Sequence, residues 1–103
     1  MPIMVSVTLR GVPIELFDEV NKEVMASGHP ATGLVAVFEH PVGDGDVRMV
    51  QIWMSEADHD AFDKVVDPPA TLRRVSERHG LGLPQLVSRE MIEVVSLVRG
   101  VNP

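Results

Sequence analysis

The segment from Val47 to Phe62 changes from a strand pattern to a helix pattern without a loop between the two. Strand-forming residues run from Val47 to Met54 through Trp53, the only tryptophan of the chain. Ser55 follows at once, and its hydroxyl can accept a hydrogen bond from a free N–H group in the first turn of a helix. A strand that leads directly into a capped helix limits this part of the chain to a mixed α and β architecture.

Period-two patterns and β-branched residues predict three further strands. The four predicted strands cover residues 3–10, 34–40, 47–54 and 90–98. Pro41 ends the second of them, because proline is poorly tolerated inside a sheet. Gly43-Asp44-Gly45-Asp46 then supplies residues that tolerate a positive φ, so the second and third strands are predicted to form an antiparallel hairpin.

Three helices are predicted between these strands. Apolar residues recur at helical spacing from Pro13, which suits a first turn, to about Ala26. The helix that begins at Ser55 is interrupted at Asp67-Pro68-Pro69, because proline lacks an amide donor and restricts the residue before it. A third helix is predicted from Ala70 to His79.

The order strand, helix, strand, strand, helix pair, strand is that of a ferredoxin-like βαββαβ sandwich, an α+β fold. One sheet would then carry helices on one face only. Apolar residues nevertheless stand on both faces of most strands, whereas a solvated face would be polar at every second position. A second copy of the chain is therefore expected to cover the other face, as a symmetric homodimer.

Composition narrows the functional classes. The chain of 103 residues is predicted to form a single domain over residues 1–103, and its formal charge of -6 with no basic stripe argues against nucleic acid and against an anionic membrane surface. No apolar run approaches the roughly 20 residues of a membrane span. The absence of cysteine excludes disulfides and thiol chemistry, which fits a reducing cytoplasm, the predicted location.

The segment Gln51-Ile52-Trp53-Met54-Ser55-Glu56-Ala57, followed by the helical aromatic Phe62, resembles the dimeric α/β barrel superfamily and most closely its small antibiotic biosynthesis monooxygenase-like members. The resemblance implies a homodimer with a pocket between sheet and helices in each subunit. It also implies oxidation of aromatic polyketides without metal or flavin, with Trp53 at the pocket. Met49 stands where the family pattern often has Asn, and His59 where some members have Tyr.

Trp53, Gln51 and Met49 alternate along one strand, so their side chains should share one face and are the predicted substrate-binding residues. The simpler alternative for Trp53 is that of the largest core residue. A buried indole N–H needs a hydrogen-bond partner, and Gln51 is the candidate for that role or for a contact with ligand.

His59 and His40 are the predicted acid or base residues, because an imidazole changes its protonation near neutral pH. The alternative for His59 is an exposed histidine between two aspartates. The alternative for His40, which is predicted to point into the same pocket, is a strand-end residue satisfied by backbone or water. Arg73 and Arg74 can bind a carboxylate or phenolate, or can lie on a solvated helical face.

No metal site and no cofactor are predicted. The four histidines stand on separate elements without a His-x-x-x-His or Glu-x-x-His pair, and the Gly43–Asp46 segment lacks the ligand pattern of a calcium loop. The sequence therefore predicts a dimer that binds a small apolar or aromatic molecule and oxidises an aromatic or polyketide-like substrate without a cofactor. An isomerase or cyclase of the same fold, and a non-catalytic binding protein, are the alternatives.

Overall fold

The computed structural model describes residues 1–97. Four strands and three helices follow the predicted order, with the second helical segment divided in two. The elements are β1 (Ile3–Arg10), α1 (Leu16–Met25), β2 (Leu34–Val42), β3 (Asp46–Trp53), α2 (Glu56–Val66), α3 (Pro68–Arg78) and β4 (Gln85–Glu93). The strands form one antiparallel sheet in the order β2-β3-β1-β4, so the predicted ferredoxin-like α+β fold is confirmed.

The last strand lies earlier in the chain than predicted. It begins at Gln85 opposite Arg10 and ends at Glu93 opposite Ile3, whereas the sequence predicted residues 90–98. In the described sheet β4 pairs with β1, and the two ends of β1 set the ends of β4. The apolar pattern of β4 itself does not set them. Residues 94–97 lie beyond the strand, and Val98, which was also assigned to it, lies outside the described residues.

The second strand runs through Pro41 to Val42 and does not stop at His40 as predicted. Because β2 is an edge strand, a residue on it can lack an amide donor without losing a hydrogen bond to a neighbour. The predicted hairpin is confirmed. Its turn places Asp44 and Gly45 at φ 59° and 80°, and Asp46 N–H donates to the carbonyl of Gly43 at 3.3 Å.

Both boundaries of α2 depend on single side chains. Ser55 caps the start of the helix as predicted, since its Oγ accepts a hydrogen bond from Asp58 N–H at 3.1 Å. Asp67 ends it in the left-handed region at φ 50°, and its carboxylate then caps α3 by accepting from Ala70 N–H at 3.4 Å. The third helix therefore begins at Pro68, two residues before the prediction, with proline in the first turn where no amide donor is needed.

The helices cover one face of the sheet, which we call the inner face, and two apolar clusters lie between them. The first joins α1, α3 and the sheet, and contains Leu9, Val12, Leu16, Phe17, Val20, Val47 and Val75. The second joins α2 and the sheet, and contains Ile3, Val5, Trp53 and Phe62. Val7 and Val24 pack against both clusters, so the space between α1 and α2 lies over the middle of the sheet.

Candidate functional site

A cavity of about 540 Å³ opens between the inner face of the sheet and the three helices. Its volume is in the range of pockets that bind small organic molecules. Most of its lining is apolar, and the polar or charged side chains are Asn21, Gln51, His59, Asp63, Arg73 and Arg89. Trp53, Met49, Gln51 and His59 all line it, so the structure brings four of the five predicted site residues together.

Trp53 belongs to the buried part of the cavity lining. Only 1% of the residue is exposed, and its indole packs against Phe62 with ring centroids 5.4 Å apart. The indole N–H donates to Gln51 Oε1 at 3.0 Å, which confirms Gln51 as its hydrogen-bond partner. Because the oxygen of the Gln51 amide is used in this way, its NH₂ group is the part left for the cavity.

His59 lies in the first half of α2, and its ring forms a T-shaped pair with that of Trp53, at 5.8 Å between centroids and 81° between planes. It is 4% exposed, which rules out the alternative of an exposed histidine. Its Nδ1 lies 2.9 Å from Asp60 Oδ1. A carboxylate only accepts hydrogen bonds, so Nδ1 of His59 is the donor in this contact and Nε2 is the ring nitrogen that Asp60 does not use.

Met49 occupies the centre of the sheet within a row that crosses all four strands. In register, Glu39 of β2, Met49 of β3, Val7 of β1 and Arg89 of β4 stand side by side on the inner face. The thioether of Met49 gives the middle of this row an apolar, adaptable surface.

An amide from α1 lies near this row. Asn21 lines the cavity, and its Nδ2 donates to Glu39 Oε1 at 2.6 Å. Because a carboxylate accepts hydrogen bonds, the NH₂ group of Asn21 faces Glu39. The carbonyl oxygen of Asn21 is then available to accept a hydrogen bond from a ligand. The sequence could have placed Asn21 at the cavity, because it follows Phe17 by one helical turn and so lies toward the buried side of α1.

His40 does not reach the cavity, which corrects its predicted place in the same pocket. In the register of β2 and β3, His40 stands opposite Arg48. The side chain of Arg48 lies on the face of the sheet opposite the helices, where its Nε donates to Thr8 Oγ1 at 3.1 Å. The ring of His40 lies over Phe38 with centroids 6.4 Å apart, and Nδ1 is 3.1 Å from the carbonyl oxygen of Pro41. Because side chains alternate along the regular part of β2, from Ala36 to Val42, His40 lies on the face away from the cavity, and it is not among the cavity-lining residues.

Of the two arginines singled out in the sequence, only Arg73 lines the cavity. Arg74 points to Glu23, with 3.7 Å between Nη2 and Oε2. Arg89, the second arginine of the lining, was missed because the last strand was placed five residues too late, which left residue 89 outside any predicted element.

Within residues 1–97, no group of three or more His, Cys, Asp and Glu side chains is arranged to hold a metal ion. None of the helices in this described part of the chain has the length and hydropathy needed to cross a bilayer.

The chain matches no protein-family model and no curated protein. It does match solved structures. SnoaB, a cofactor-independent oxygenase from Streptomyces nogalater, aligns with a TM-score of 0.60 and 11% identity over 94% of this chain and 96% of that chain. A Bordetella bronchiseptica protein assigned to the antibiotic biosynthesis monooxygenases gives a TM-score of 0.59 with 16% identity, over 92% of this chain and 98% of that one.

A protein from Chloroflexus aurantiacus with the same assignment has 10% identity and a TM-score of 0.57, over 97% of this chain and 100% of its own. At these identities the likeness shows the fold. The chain has the ferredoxin-like α+β fold of the antibiotic biosynthesis monooxygenase-like proteins, and this confirms the resemblance predicted from residues 51–57.

Proposed function

We propose that this protein is a cofactor-independent oxygenase that acts on a small aromatic or polyketide-like molecule in the cavity beside Trp53 and His59. The observation that carries the proposal is a buried imidazole in a largely apolar cavity, since His59 is 4% exposed and its Nδ1 lies 2.9 Å from Asp60 Oδ1. SnoaB, which shares the fold, is a cofactor-independent oxygenase, and this supports the reaction class.

In the proposed reaction the substrate supplies the electrons. His59 Nε2 removes a proton from an activated carbon or a phenol, and the resulting carbanion or phenolate reacts with O₂. For an anthrone, the CH₂ carbon gains one oxygen atom as a new carbonyl, and the second oxygen leaves as water with both hydrogens of that carbon. One O₂ is consumed per molecule, so neither a metal nor a flavin is needed for balance.

The surrounding groups fit this step. The NH₂ group of Gln51 can donate to an oxygen that becomes negative as the proton leaves, and the carbonyl of Asn21 can accept from a substrate hydroxyl. Trp53 and Phe62 offer aromatic surfaces against which a ring can pack. Met49, Gln51 and Trp53 are thus the proposed substrate-binding residues.

The proposed assembly is a homodimer in which two sheets pack through the face opposite the helices, the outer face. Phe38 of β2 and Ile92 of β4 stand on that face and are 46% and 45% exposed. A second copy would cover these side chains symmetrically, as expected for a two-fold interface.

Oxygen uptake with anthrone as the substrate tests the reaction. Protein treated with a chelator and given no flavin is expected to consume one O₂ per anthrone and to release anthraquinone, above the rate with heat-denatured protein. Conversion of the substrate without O₂ uptake would assign an isomerase or cyclase instead. No uptake across anthrones and related quinols would overturn the oxygenase.

A further inference from the structure

Most arginines of this acidic chain have a hydrogen-bond or ion-pair partner in the described structure. Arg10 pairs with Asp46 at 2.9 Å, and Arg78 pairs with Glu19 and Glu23 at 2.6 Å each. Arg73 and Arg89 form no ion pair with any residue of 1–97, and both line the cavity. Both guanidinium groups are therefore available to an anionic group of a ligand in the cavity.

The charge of the cavity also differs in sign from that of the chain. Its lining contains two guanidinium groups, Arg73 and Arg89, against one carboxylate, Asp63. The formal charge of the whole chain is -6. A positive cleft in an acidic molecule concentrates anionic ligands and disfavours cationic ones.

The sheet offers Arg89 no internal partner on the inner face. Glu39 stands in the same row but three strands away, which is roughly 14 Å at the usual strand spacing, and it is held by Asn21 at 2.6 Å. Glu93 is four residues further along β4, roughly 13 Å away, and Glu90 points to the outer face.

Arg73 lies on α3 and lines the same cavity. Glu77, one turn further along the helix, forms no ion pair with it, although that spacing often permits one. Arg73 and Arg89 are both exposed residues that nevertheless line the cavity, whereas Trp53 and His59, which also line it, are 1% and 4% exposed. The cationic side chains therefore belong to the solvent-exposed part of the lining, and the indole and imidazole rings belong to its buried part.

We propose that the substrate is an aromatic molecule with a carboxylate group, which Arg73 and Arg89 bind at the solvent-exposed part of the cavity. The planar guanidinium group matches a carboxylate with two parallel hydrogen bonds, which fixes orientation as well as charge. The ring system then extends toward Trp53, and the atom to be deprotonated faces His59. This inference rests on the proposed use of the cavity as the substrate site.

Isothermal titration calorimetry with two matched probes tests it. 1-Hydroxy-2-naphthoate and 1-naphthol share the ring and the hydroxyl, and only the first has a carboxylate. The wild-type protein is expected to bind the acid at least roughly tenfold more tightly, since hydrogen bonds to charged groups are the stronger ones. Sodium chloride should weaken binding of the acid and leave binding of the naphthol nearly unchanged.

The variants Arg73→Gln and Arg89→Gln should each remove most of this preference without changing the affinity for 1-naphthol. Lys64→Gln is the matched control, because Lys64 is an exposed cation on α2 that does not line the cavity. Circular dichroism checks that each variant is folded.

Equal affinity for the two probes would overturn the carboxylate preference and leave the oxygenase proposal intact. A preference that survives both arginine substitutions would overturn the assignment to Arg73 and Arg89. Binding of neither probe would count against the cavity as a substrate site and so against both proposals.

Discussion

Each uncharged polar side chain in the cavity is held by a neighbour through one atom, and another atom is left for a ligand. Gln51 uses its oxygen for Trp53, and His59 uses Nδ1 for Asp60. Asn21 uses its nitrogen for Glu39. The cavity thus presents an amide NH₂ group, an imidazole nitrogen and a carbonyl oxygen in fixed orientations, which would lower the cost of ordering them around the proposed substrate.

Asp60 is expected to act as a positioning residue for His59. Its side chain is 61% exposed, so Asp60→Ala should change the free energy of unfolding by less than about 0.5 kcal/mol. The same change should lower kcat for anthrone oxidation roughly tenfold and alter the pH dependence of the rate, because the tautomer and orientation of the imidazole are no longer fixed.

The control for Asp60 is Glu56→Ala, which removes another exposed carboxylate from the first turn of α2 without touching His59. Steady-state kinetics and thermal unfolding of both variants supply the comparison. If Asp60→Ala and Glu56→Ala lost the same activity, the loss would come from the changed charge of the helix and not from the missing contact with His59.

The sequence predicted some of these residue contacts and not others. Trp53 and Gln51 are two apart on a strand, so their shared face follows from alternation. The contact between His59 and Asp60 does not follow, because adjacent helical residues point in different directions and their side chains usually do not meet. Asn21 and Glu39 come from different elements, so their contact depends on how α1 crosses the sheet.

Among the elements, α1 and α3 are joined by a group of charged side chains at their surface. Arg78 donates to Glu19 and Glu23 at 2.6 Å each, and His79 Nε2 lies 2.6 Å from the second oxygen of Glu19. The hydrogen bond from His79, followed by that from Arg78, lowers the pKa of Glu19 below its ordinary value of 4.5. The ion pairs hold together two of the helices that wall the cavity.

This lowered pKa predicts how stability depends on pH. The folded chain binds a proton at Glu19 more weakly than the unfolded chain, so the contribution of Glu19 is fully present above the unfolded pKa near 4.5 and is lost as pH falls through the lower folded pKa. The melting temperature of Glu19→Gln should therefore lie a few degrees below that of the wild type at pH 6, and the gap should narrow as the pH falls below 4.5 and close below the lowered pKa of folded Glu19.

Thermal unfolding between pH 3 and pH 7, followed by circular dichroism, measures this gap. Asp18→Asn is the control, because Asp18 forms only an exposed pair with Lys22 at 3.6 Å on the same helix. A gap between wild type and Glu19→Gln that does not change with pH would contradict the assigned role of the charge.

Elements with a clear internal pattern were predicted well, and elements defined by their neighbours were not. The cap at Ser55 and the break at Asp67 depend on local chemistry, and both lie where the sequence indicated. The limits of β4 depend on its pairing with β1. All nine residues of β4 are exposed, so the strand has no buried face whose apolar residues would mark its ends and register in the sequence.

At the scale of the whole molecule, the three helices described within residues 1–97 all lie on one face of the sheet. The outer face mixes polar pairs, such as Arg10 with Asp46, with exposed apolar groups such as Phe38. The sequence indicated apolar residues on both faces, from which a second copy was inferred. The four-strand row from Glu39 to Arg89 could not be read from the sequence, because it needs the register of every strand.

The proposed homodimer predicts a mass of twice 11.3 kDa in sedimentation at micromolar concentration. Phe38→Glu should weaken the dimer at least roughly tenfold, because a charge would be buried at an apolar contact. Phe38→Leu is the matched control and should remain dimeric. A wild-type protein that sediments at the monomer mass would contradict the assembly.

The most direct test of the account compares wild-type protein with His59→Gln in the anthrone oxygen-uptake assay, without flavin or metal. Loss of the base is predicted to lower kcat by about 10²- to 10⁴-fold. The variant should keep its circular dichroism spectrum and its affinity for 1-naphthol. Oxygen uptake that persists at the wild-type rate in His59→Gln would contradict the central claim that His59 is the base of a cofactor-free reaction in this cavity.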